Sequence, residues 1–328
     1  MNRGVRTILY VLPLPVIAGA LFAGSSSVVS AADVWRALTE PSAPLTDAAR
    51  TVLFDVRLPR ILLAFITGAI LSSSGAAMQA VFRNPLVDPY VLGLSSGAAF
   101  GAALAAATGF SPMLLPAFLF GAGATALSAA AASKRGRISV VSLILAGIVV
   151  NGIFTAALTV VQYMSDPFTL QTIVQWTMGG FQTAGWEKTA LAAGPAAAGA
   201  GVLLLYRWRL NVLAMGDDEA RSSGLHPVRE KLIILSAAGL ACAAGVAVAG
   251  IIGFYGLIVP HLLRMTAGPD HRRLVPLSMT AGGSFLVLID TLSRTLMPYE
   301  LPIGVFTMLL GAPLFLLLIR RNDAGWDR

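Results

Sequence analysis

The 328-residue sequence has little charge, a single cysteine and three histidines. Charged residues make up 12% of the chain and apolar residues 56%, with a mean hydropathy of +0.77. Soluble domains are about one quarter charged, so this composition excludes an ordinary soluble domain. One cysteine, Cys242, excludes a disulfide framework within the chain, and we interpret it as a small buried apolar residue.

The sequence also lacks the motifs of common catalytic sites. No GxxxxGK[ST] loop is present, so the chain does not bind ATP through such a loop. The three histidines have no metal-ligand spacing, and we assign no metal ligand, catalytic residue or cofactor of its own to this chain. Residues 93–97 match GxSxG, but a nucleophile elbow follows a strand, whereas this segment follows a proline-containing turn and opens an apolar helix. Helix capping and packing therefore explain Ser95 and Ser96 better than an intramembrane hydrolase does.

Long apolar runs recur along the sequence, each long enough to cross the hydrocarbon core of a bilayer, which is about 30 Å thick. They predict an all-α polytopic membrane protein in which residues 1–328 form a single transmembrane domain with ten helices. The predicted spans are 8–23, 59–82, 91–108, 113–132, 138–164, 187–207, 232–251, 254–266, 276–296 and 303–319. Glycines and Pro260 in the region 251–260 predict a broken helix, which lipid tolerates only if neighbouring helices satisfy the freed backbone groups.

The first apolar run has two interpretations. Two arginines precede it and Ser30-Ala31-Ala32 follows it, a pattern that resembles a signal peptide and its cleavage site. We favour a retained first helix, because the apolar character continues to Val28 and Val29, beyond a normal signal-peptide core. Residues 31–57 are then expected to form a polar periplasmic loop.

Lysine and arginine are unevenly distributed between the connections. With both termini inside, seventeen of the 23 basic residues lie on the inner side of the ten spans. This is the positive-inside bias, so the net charge of +7 indicates membrane topology and needs no nucleic acid to explain it. The longest inner segment, 208–231, mixes apolar with charged residues; it suits short amphipathic helices facing a cytoplasmic partner, or a solvated connector.

Two further features leave alternatives open. Glycine and serine are frequent in the second and third spans, which favours close helix packing over a lining for a substrate path. Arg57, Arg60 and Arg294 lie at outer span ends, where positive charge is disfavoured. They either serve a function on the outer face, or they anchor at the interface or pair with Asp55, Asp290 or Glu300.

Three ordered sequence blocks resemble one family. RLPR at 57–60 with RNPL at 83–86 and SSGA at 95–98, then GFYGLIVPHLLR at 253–264, then ELPIGVFTMLLGAPLFLLL at 300–318, closely resemble the permeases of bacterial ABC importers for iron complexes and cobalamin. The resemblance implies the ten-helix fold of type II ABC importer permeases, in the inner membrane with both termini cytoplasmic. It also implies a second permease copy, two ATPase subunits that bind ATP and Mg, and a periplasmic binding protein.

The resemblance assigns roles to individual residues. Arg57, Arg60 and Arg294 match arginines thought to dock the binding protein. Asn84 and Leu86, with Val140 and Val141, match constrictions of the pathway at its cytoplasmic end. Residues 212–225 match helices that couple to the ATPase, and the candidate coupling residues are Leu213, Gly216, Ala220 and Gly224.

The resemblance also implies a substrate class. We expect a ferric siderophore or haem, carried by alternating access, with cobalamin as the alternative. Cobalamin is disfavoured because Val140 and Val141 replace small polar residues of the cobalamin importer. An ATP-independent secondary transporter is remote, since it needs carboxylates within the membrane and Asp290 is the one plausible candidate.

Overall fold

The computed structural model describes residues 3–24, 29–39, 46–110, 112–134, 137–296 and 299–321. These residues form helices and one short antiparallel hairpin of β1 (Ser133–Lys134) with β2 (Arg137–Ile138). The first helices are α1 (Arg3–Val11), α2 (Pro13–Phe22), α3 (Ala31–Thr39), α4 (Asp47–Thr51), α5 (Leu58–Val81), α6 (Leu94–Thr108), α7 (Leu114–Ala132) and α8 (Val140–Met164). The later ones are α9 (Pro167–Thr177), α10 (Trp186–Met215), α11 (Asp217–Ser222), α12 (Pro227–Ala249), α13 (Tyr255–Ala267), α14 (His271–Thr295) and α15 (Ile303–Arg321).

Each of the ten predicted spans coincides with a helix, the first with the bent pair α1 and α2. Six helices of the described residues are long and apolar enough to cross a bilayer: α7, α8, α10, α12, α14, and α5 together with its extension from Asp47. The pair α1 and α2, bent by 44°, makes a seventh if it is one span. Helices α6 and α13 have 15 and 13 residues, and the apolar part of α15, Ile303–Pro313, is also shorter than the 18 residues required, so the count of ten remains a prediction.

Helix α5 lies at the centre of the bundle and packs against α10, α12, α13 and α14. Its small residues allow this. A Cβ atom on Gly68 would lie 2.5 Å from the carbonyl oxygen of Gly282 on α14, and one on Gly75 would lie 1.7 Å from that of Gly256 on α13. Such distances leave no room for a methyl group, and backbone contact of this kind is how helices associate in lipid. The packing interpretation of these glycines is confirmed.

The GLSSG segment also serves packing. Gly93 has a left-handed conformation (φ 79°) and precedes the first turn of α6, and the buried Ser96 hydroxyl donates to the Gly93 carbonyl at 3.0 Å. Gly97 and Gly101 face the backbone of α7, since Cβ atoms there would lie 2.5 Å and 2.3 Å from the carbonyl oxygens of Phe120 and Pro116. The GxxxG spacing therefore marks the contact between α6 and α7.

The predicted interruption is present but lies before Pro260. Helix α12 ends at Ala249, residues 250–254 are not helical, and Pro260 lies inside α13. The freed backbone groups are bonded by neighbouring segments: the Gly180 N–H donates to the Ala249 carbonyl at 2.7 Å, and the Tyr90 hydroxyl to the Ile252 carbonyl at 3.2 Å. Neighbouring segments therefore provide hydrogen-bond donors for these two carbonyl groups, as a break in a membrane helix requires.

Three segments between the predicted spans contain helices, and in 208–231 the short helix α11 agrees with the amphipathic helices expected there. Much of 31–57 is helical, because Thr46 caps α4 by accepting from the Ala49 N–H, and a π-helical turn at Val52–Arg57 carries α4 into α5. The inner segment 208–231 begins as helix, because α10 continues to Met215. Helix α9 was not predicted; Asp166 caps its N-terminus and Pro167 starts it, but at 11 residues it has no long apolar run.

Replacing Gly75 with alanine tests the close approach at the centre of the bundle. We expect Gly75→Ala to destabilise the chain by about 3 kcal/mol, because its methyl group overlaps the backbone of α13. Thermal unfolding in detergent measures the effect. Gly123→Ala on α7 is the matched control, because its Cβ meets nothing within 4 Å. An equal loss in both variants would contradict the packing argument.

Candidate functional site

The three outer arginines meet in one cluster, here called the arginine end, with Asp290 at its centre. Arg60 from α5 forms ion pairs with Asp290 from α14 at 2.8 Å and with Glu300 at 2.9 Å. The side chain of Asp290 is 1% exposed and that of Glu300 37%. Arg60 thereby ties α5 to α14 and to the segment that precedes α15.

Arg57 and Arg294 bond to the end of α2. Arg57 Nη1 donates to the Leu21 carbonyl at 2.7 Å, and Arg294 Nη2 donates to the Ala20 carbonyl at 2.9 Å. Arg294 Nε also lies 3.7 Å from Asp290. Carbonyl groups at a helix C-terminus carry partial negative charge and lack intrahelical partners, so they are natural acceptors for guanidinium groups.

The contacts of the three arginines within the chain affect their predicted role in docking a binding protein. Arg57 and Arg294 are 5% and 7% exposed, and the side chain of Arg60 is 11% exposed. The alternative of pairing with Asp290 and Glu300 is therefore confirmed for Arg60. Docking of a binding protein by these arginines stays a prediction, and an incoming carboxylate would have to compete with the partners described above.

The RNPL turn lies at the opposite end of the bundle, here called the RNPL end. Asn84 Oδ1 accepts from the Leu86 N–H at 2.9 Å, which fixes the turn after α5. Val140 opens α8 and packs against an apolar cluster at this end, whose buried members include Phe82, Ile138 and Leu213, while Val141 is 65% exposed. The four candidate gate residues thus lie at one end of the bundle, and Asn84, Leu86 and Val140 are half-buried. Their role as a gate stays a prediction.

The predicted coupling segment is divided between the core and the surface. Leu213 and Ala220 are 1% and 0% exposed and belong to the apolar cluster at the RNPL end. Gly216 is buried with φ 149°, where a side chain would be strained, and Gly224 is exposed with φ 78°. The candidates chosen from the sequence therefore shape this segment, and all but Gly224 are buried.

Apart from Gly224, the exposed residues of this segment are not among the candidates chosen from the sequence. Met215 is 69% exposed, and the side chains of Asp218 and Arg221 are 92% and 52% exposed and paired at 2.7 Å. Ala220 lies two positions after Asp218 and one before Arg221, and on a helix residues one or two positions apart face different directions. Helical periodicity within 212–225 could have identified this outer face.

A polar cluster that sequence reasoning missed joins α10 to the start of α14. The Asn211 amide donates to Asp270 at 2.7 Å, and its oxygen accepts from the His271 N–H at 2.7 Å. Burial alone would raise the pKa of Asp270, but hydrogen bonds from Asn211 and from the Arg272 N–H outweigh it, so the pKa lies below its usual value. Asp270 therefore stays charged and caps α14.

Helix α8 is the least covered of the long helices. Its buried residues are Leu143, Gly147 and Val150, a single stripe along 25 residues. A Cβ on Gly147 would lie 2.1 Å from the Val91 carbonyl oxygen, so this stripe contacts the backbone before α6. Most other positions are exposed, including the polar Asn151 and Thr155 among apolar neighbours.

A bundle of long apolar helices, with a broken helix and polar clusters at its ends, is the architecture of a polytopic membrane protein. A family model described as the FecCD transport family matches residues 11–321. The chain therefore belongs to the FecCD transport family, whose members are permeases of ABC importers.

Named relatives and solved structures agree with this membership. The chain is 42% identical to a molybdate import permease of Haemophilus influenzae, covering 84% of this chain and 82% of the relative. It is 39% identical to a hemin transport permease of Yersinia pestis over 98% of both chains. A solved structure described as an inward-facing, metal-chelate type ABC transporter is 38% identical, with a TM-score of 0.85 over 98% of this chain and 100% of the other.

The two carboxylates of the arginine end should differ in their effect on stability. We expect Asp290→Asn to cost about 3 kcal/mol, because it leaves Arg294 without its carboxylate in a buried site. Glu300→Gln, at a partly exposed site, should cost about 1 kcal/mol or less. Thermal unfolding of the two variants side by side measures the difference, and equal costs would contradict the assigned geometry.

Proposed function

We propose that this permease serves a binding-protein-dependent, ATP-driven importer for a metal chelate, a ferric siderophore or haem. The observation that carries the proposal is the likeness over nearly the full length of both chains to a metal-chelate type transporter. The hemin permease, which also matches over 98% of both chains, supports it. Cobalamin import remains the alternative, and Val140 and Val141 disfavour it.

In this proposal two copies of the chain form the pathway between them. The uncovered face of α8 supports this arrangement. Asn151 and Thr155 are exposed on it, and polar side chains in a membrane normally face protein or a water-filled path instead of lipid. Packing α8 and its neighbours against a second copy places these residues beside a central path, with lipid around the outside of the pair.

The RNPL end faces the cytoplasm in this proposal, with both termini on that side of the inner membrane. Two ATPase subunits bind ATP and Mg and dock on α11 and the end of α10, where Met215, Asp218 and Arg221 are exposed. Their closure moves α11, and the path opens alternately to the two sides. The permease itself takes part in no covalent step. Its residues act only through their positions and through conformational change.

The arginine end faces the periplasm and receives the binding protein. The described residues of this cluster have three guanidinium groups and two carboxylates, so a positive charge remains. A carboxylate on a docking protein complements that charge, and Arg60 is suited to it because it already bonds the partly exposed Glu300. The docking protein replaces Glu300 as the partner of Arg60 in this view.

Charge changes at the exposed Asp218 of α11 and at Met215, the last residue of α10, test the docking of the ATPase. We expect Asp218→Lys combined with Met215→Glu to reduce co-purification of the ATPase subunits about tenfold or more, because both side chains lie on the proposed contact. Gln182→Lys, an exposed change at the arginine end, is the control and should leave co-purification unchanged. Undiminished assembly of the double variant would refute the docking face.

Transport by the reconstituted complex tests the substrate class. Proteoliposomes containing the chain, its ATPase subunits and its binding protein are supplied with a radiolabelled ferric siderophore, haem, cobalamin or molybdate. We expect ATP-dependent accumulation of the siderophore or haem. Accumulation of molybdate or cobalamin alone would exclude the metal-chelate proposal, and uptake without ATP would exclude an ATP-driven importer.

A further inference from the structure

A fully buried lysine at the RNPL end has no role in the function proposed so far. Lys231, in the second turn of α12, is 1% exposed. Its Nζ donates to Asp217 Oδ1 at 2.7 Å, to Asp217 Oδ2 at 2.8 Å and to the Ile138 carbonyl at 3.2 Å. An ammonium group has three donors, so these partners meet its full hydrogen-bonding capacity without water.

The partners of Lys231 belong to two other segments. Asp217 is the first residue of α11, the helix proposed to dock on the ATPase. Ile138 is the last residue of the hairpin β1–β2 and is 2% exposed. Val140, which opens α8 and is a candidate gate residue, follows two positions later. One ammonium group therefore joins α11, α12 and the start of α8.

The buried ion pair between Lys231 and Asp217 opposes the separation of α11 from α12. A buried charge is strongly unfavourable without its partner, so moving Asp217 away from Lys231 would leave an uncompensated ammonium group in an apolar cluster. Ala220 and Leu213, from either side of Asp217, belong to the same cluster as Ile138. Displacing α11 alone would break the ion pair and the apolar contacts of Ala220, whereas moving α11 together with the start of α12 and the hairpin keeps the bonds of Lys231.

A neighbouring ion pair shows what is particular about Lys231. Glu230, one position earlier, pairs with Arg209 at 2.7 Å. That pair joins α10 to α12, and the Arg209 side chain is 38% exposed. It has no bond to α11 or to the hairpin among the described contacts, so it stabilises the scaffold without linking the docking helix to α8.

We propose that Lys231 is a positioning residue that makes α11, the start of α12 and the β1–β2 hairpin move as one body, so that displacement of α11 by the ATPase reaches Val140 and the start of α8. The proposal rests on the docking of α11 described above. Lys231 contacts neither the ATPase nor the transported molecule. It acts through Asp217 on one side and Ile138 on the other.

The test removes the link without leaving a buried charge. Asp217→Asn with Lys231→Met replaces the ion pair by neutral groups of similar size, a change that buried pairs often tolerate. Arg209→Met with Glu230→Gln is the matched control, since it neutralises the adjacent pair. Each chain is assembled with its ATPase subunits in lipid nanodiscs, with Cys242 replaced by alanine.

Spin labels then report the motion of each segment. Cysteines for nitroxide labels are placed at the exposed positions Ser223 after α11, Arg137 in the hairpin and Arg273 at the start of α14. Each complex carries two labels, at position 273 and at either 223 or 137. The distance between the two labels is measured in spin-diluted complexes, with and without a non-hydrolysable ATP analogue. Only the nucleotide is needed as a probe.

In the native chain and the control, both distances should change together when the nucleotide binds. In the Asp217→Asn, Lys231→Met variant, the 273–223 distance should still change, while the 273–137 shift is lost. A 273–137 distance that still follows the nucleotide in that variant would overturn the proposal, as would a native chain in which either distance stays fixed. Failure of the native chain to assemble with the ATPase would instead refute the proposed function, so the two failures are distinguishable.

Discussion

The fold depends on how closely backbones approach helix α5. Gly68 and Gly75 place its backbone against those of α14 and α13, at distances that no side chain larger than hydrogen would allow. Because lipid is as apolar as the side chains, burial gives little advantage between helices there, and close van der Waals contact takes its place. The small residues of α5 thus set the positions of α13 and α14, and through them the location of both polar ends.

The charged residues are distributed differently from the small residues at the centre of the bundle. They lie at its ends, where each buried cation joins segments that are distant in sequence. Arg60, Arg57 and Arg294 connect α5 and α14 with α2 and with Glu300, and Lys231 connects α12 with α11 and the hairpin. Small residues therefore hold the middle of the bundle together, and ionic contacts organise the ends where partners are proposed to dock.

The helical spans could be predicted from the sequence because long apolar runs have few alternatives in a membrane. The short helices could not. Helix α9 depends on the Asp166 cap, and the helix over Val52–Arg57 depends on α4 continuing into α5, so neither has an apolar run to mark it. The RNPL turn and the start of α8 at Val140 were located correctly, since prolines and a serine cap punctuate them.

The site residues were predictable in position but not in environment. Sequence spacing located Arg60 and Asp290 near the same end, yet their pairing across 230 positions required the fold. Leu213 and Ala220 were selected within the right segment, but which face of α11 points outward depends on its packing against the cluster that contains Ile138. Lys231 looked like one of many inner cations, because nothing in the local sequence indicates that it is buried.

The narrow attachment of α8 has a consequence for how such permeases diverge. The buried residues of this 25-residue helix are Leu143, Gly147 and Val150, and Val140 and Phe154 add contacts with the rest of the chain. Substitutions at its exposed positions, such as Asn151 and Thr155, change little of the packing within the chain, so folding stability restricts them less. A lineage can therefore alter the width and polarity of this surface through single substitutions while the scaffold stays constant. Relatives named for cargoes as different in size as molybdate and hemin are compatible with such freedom.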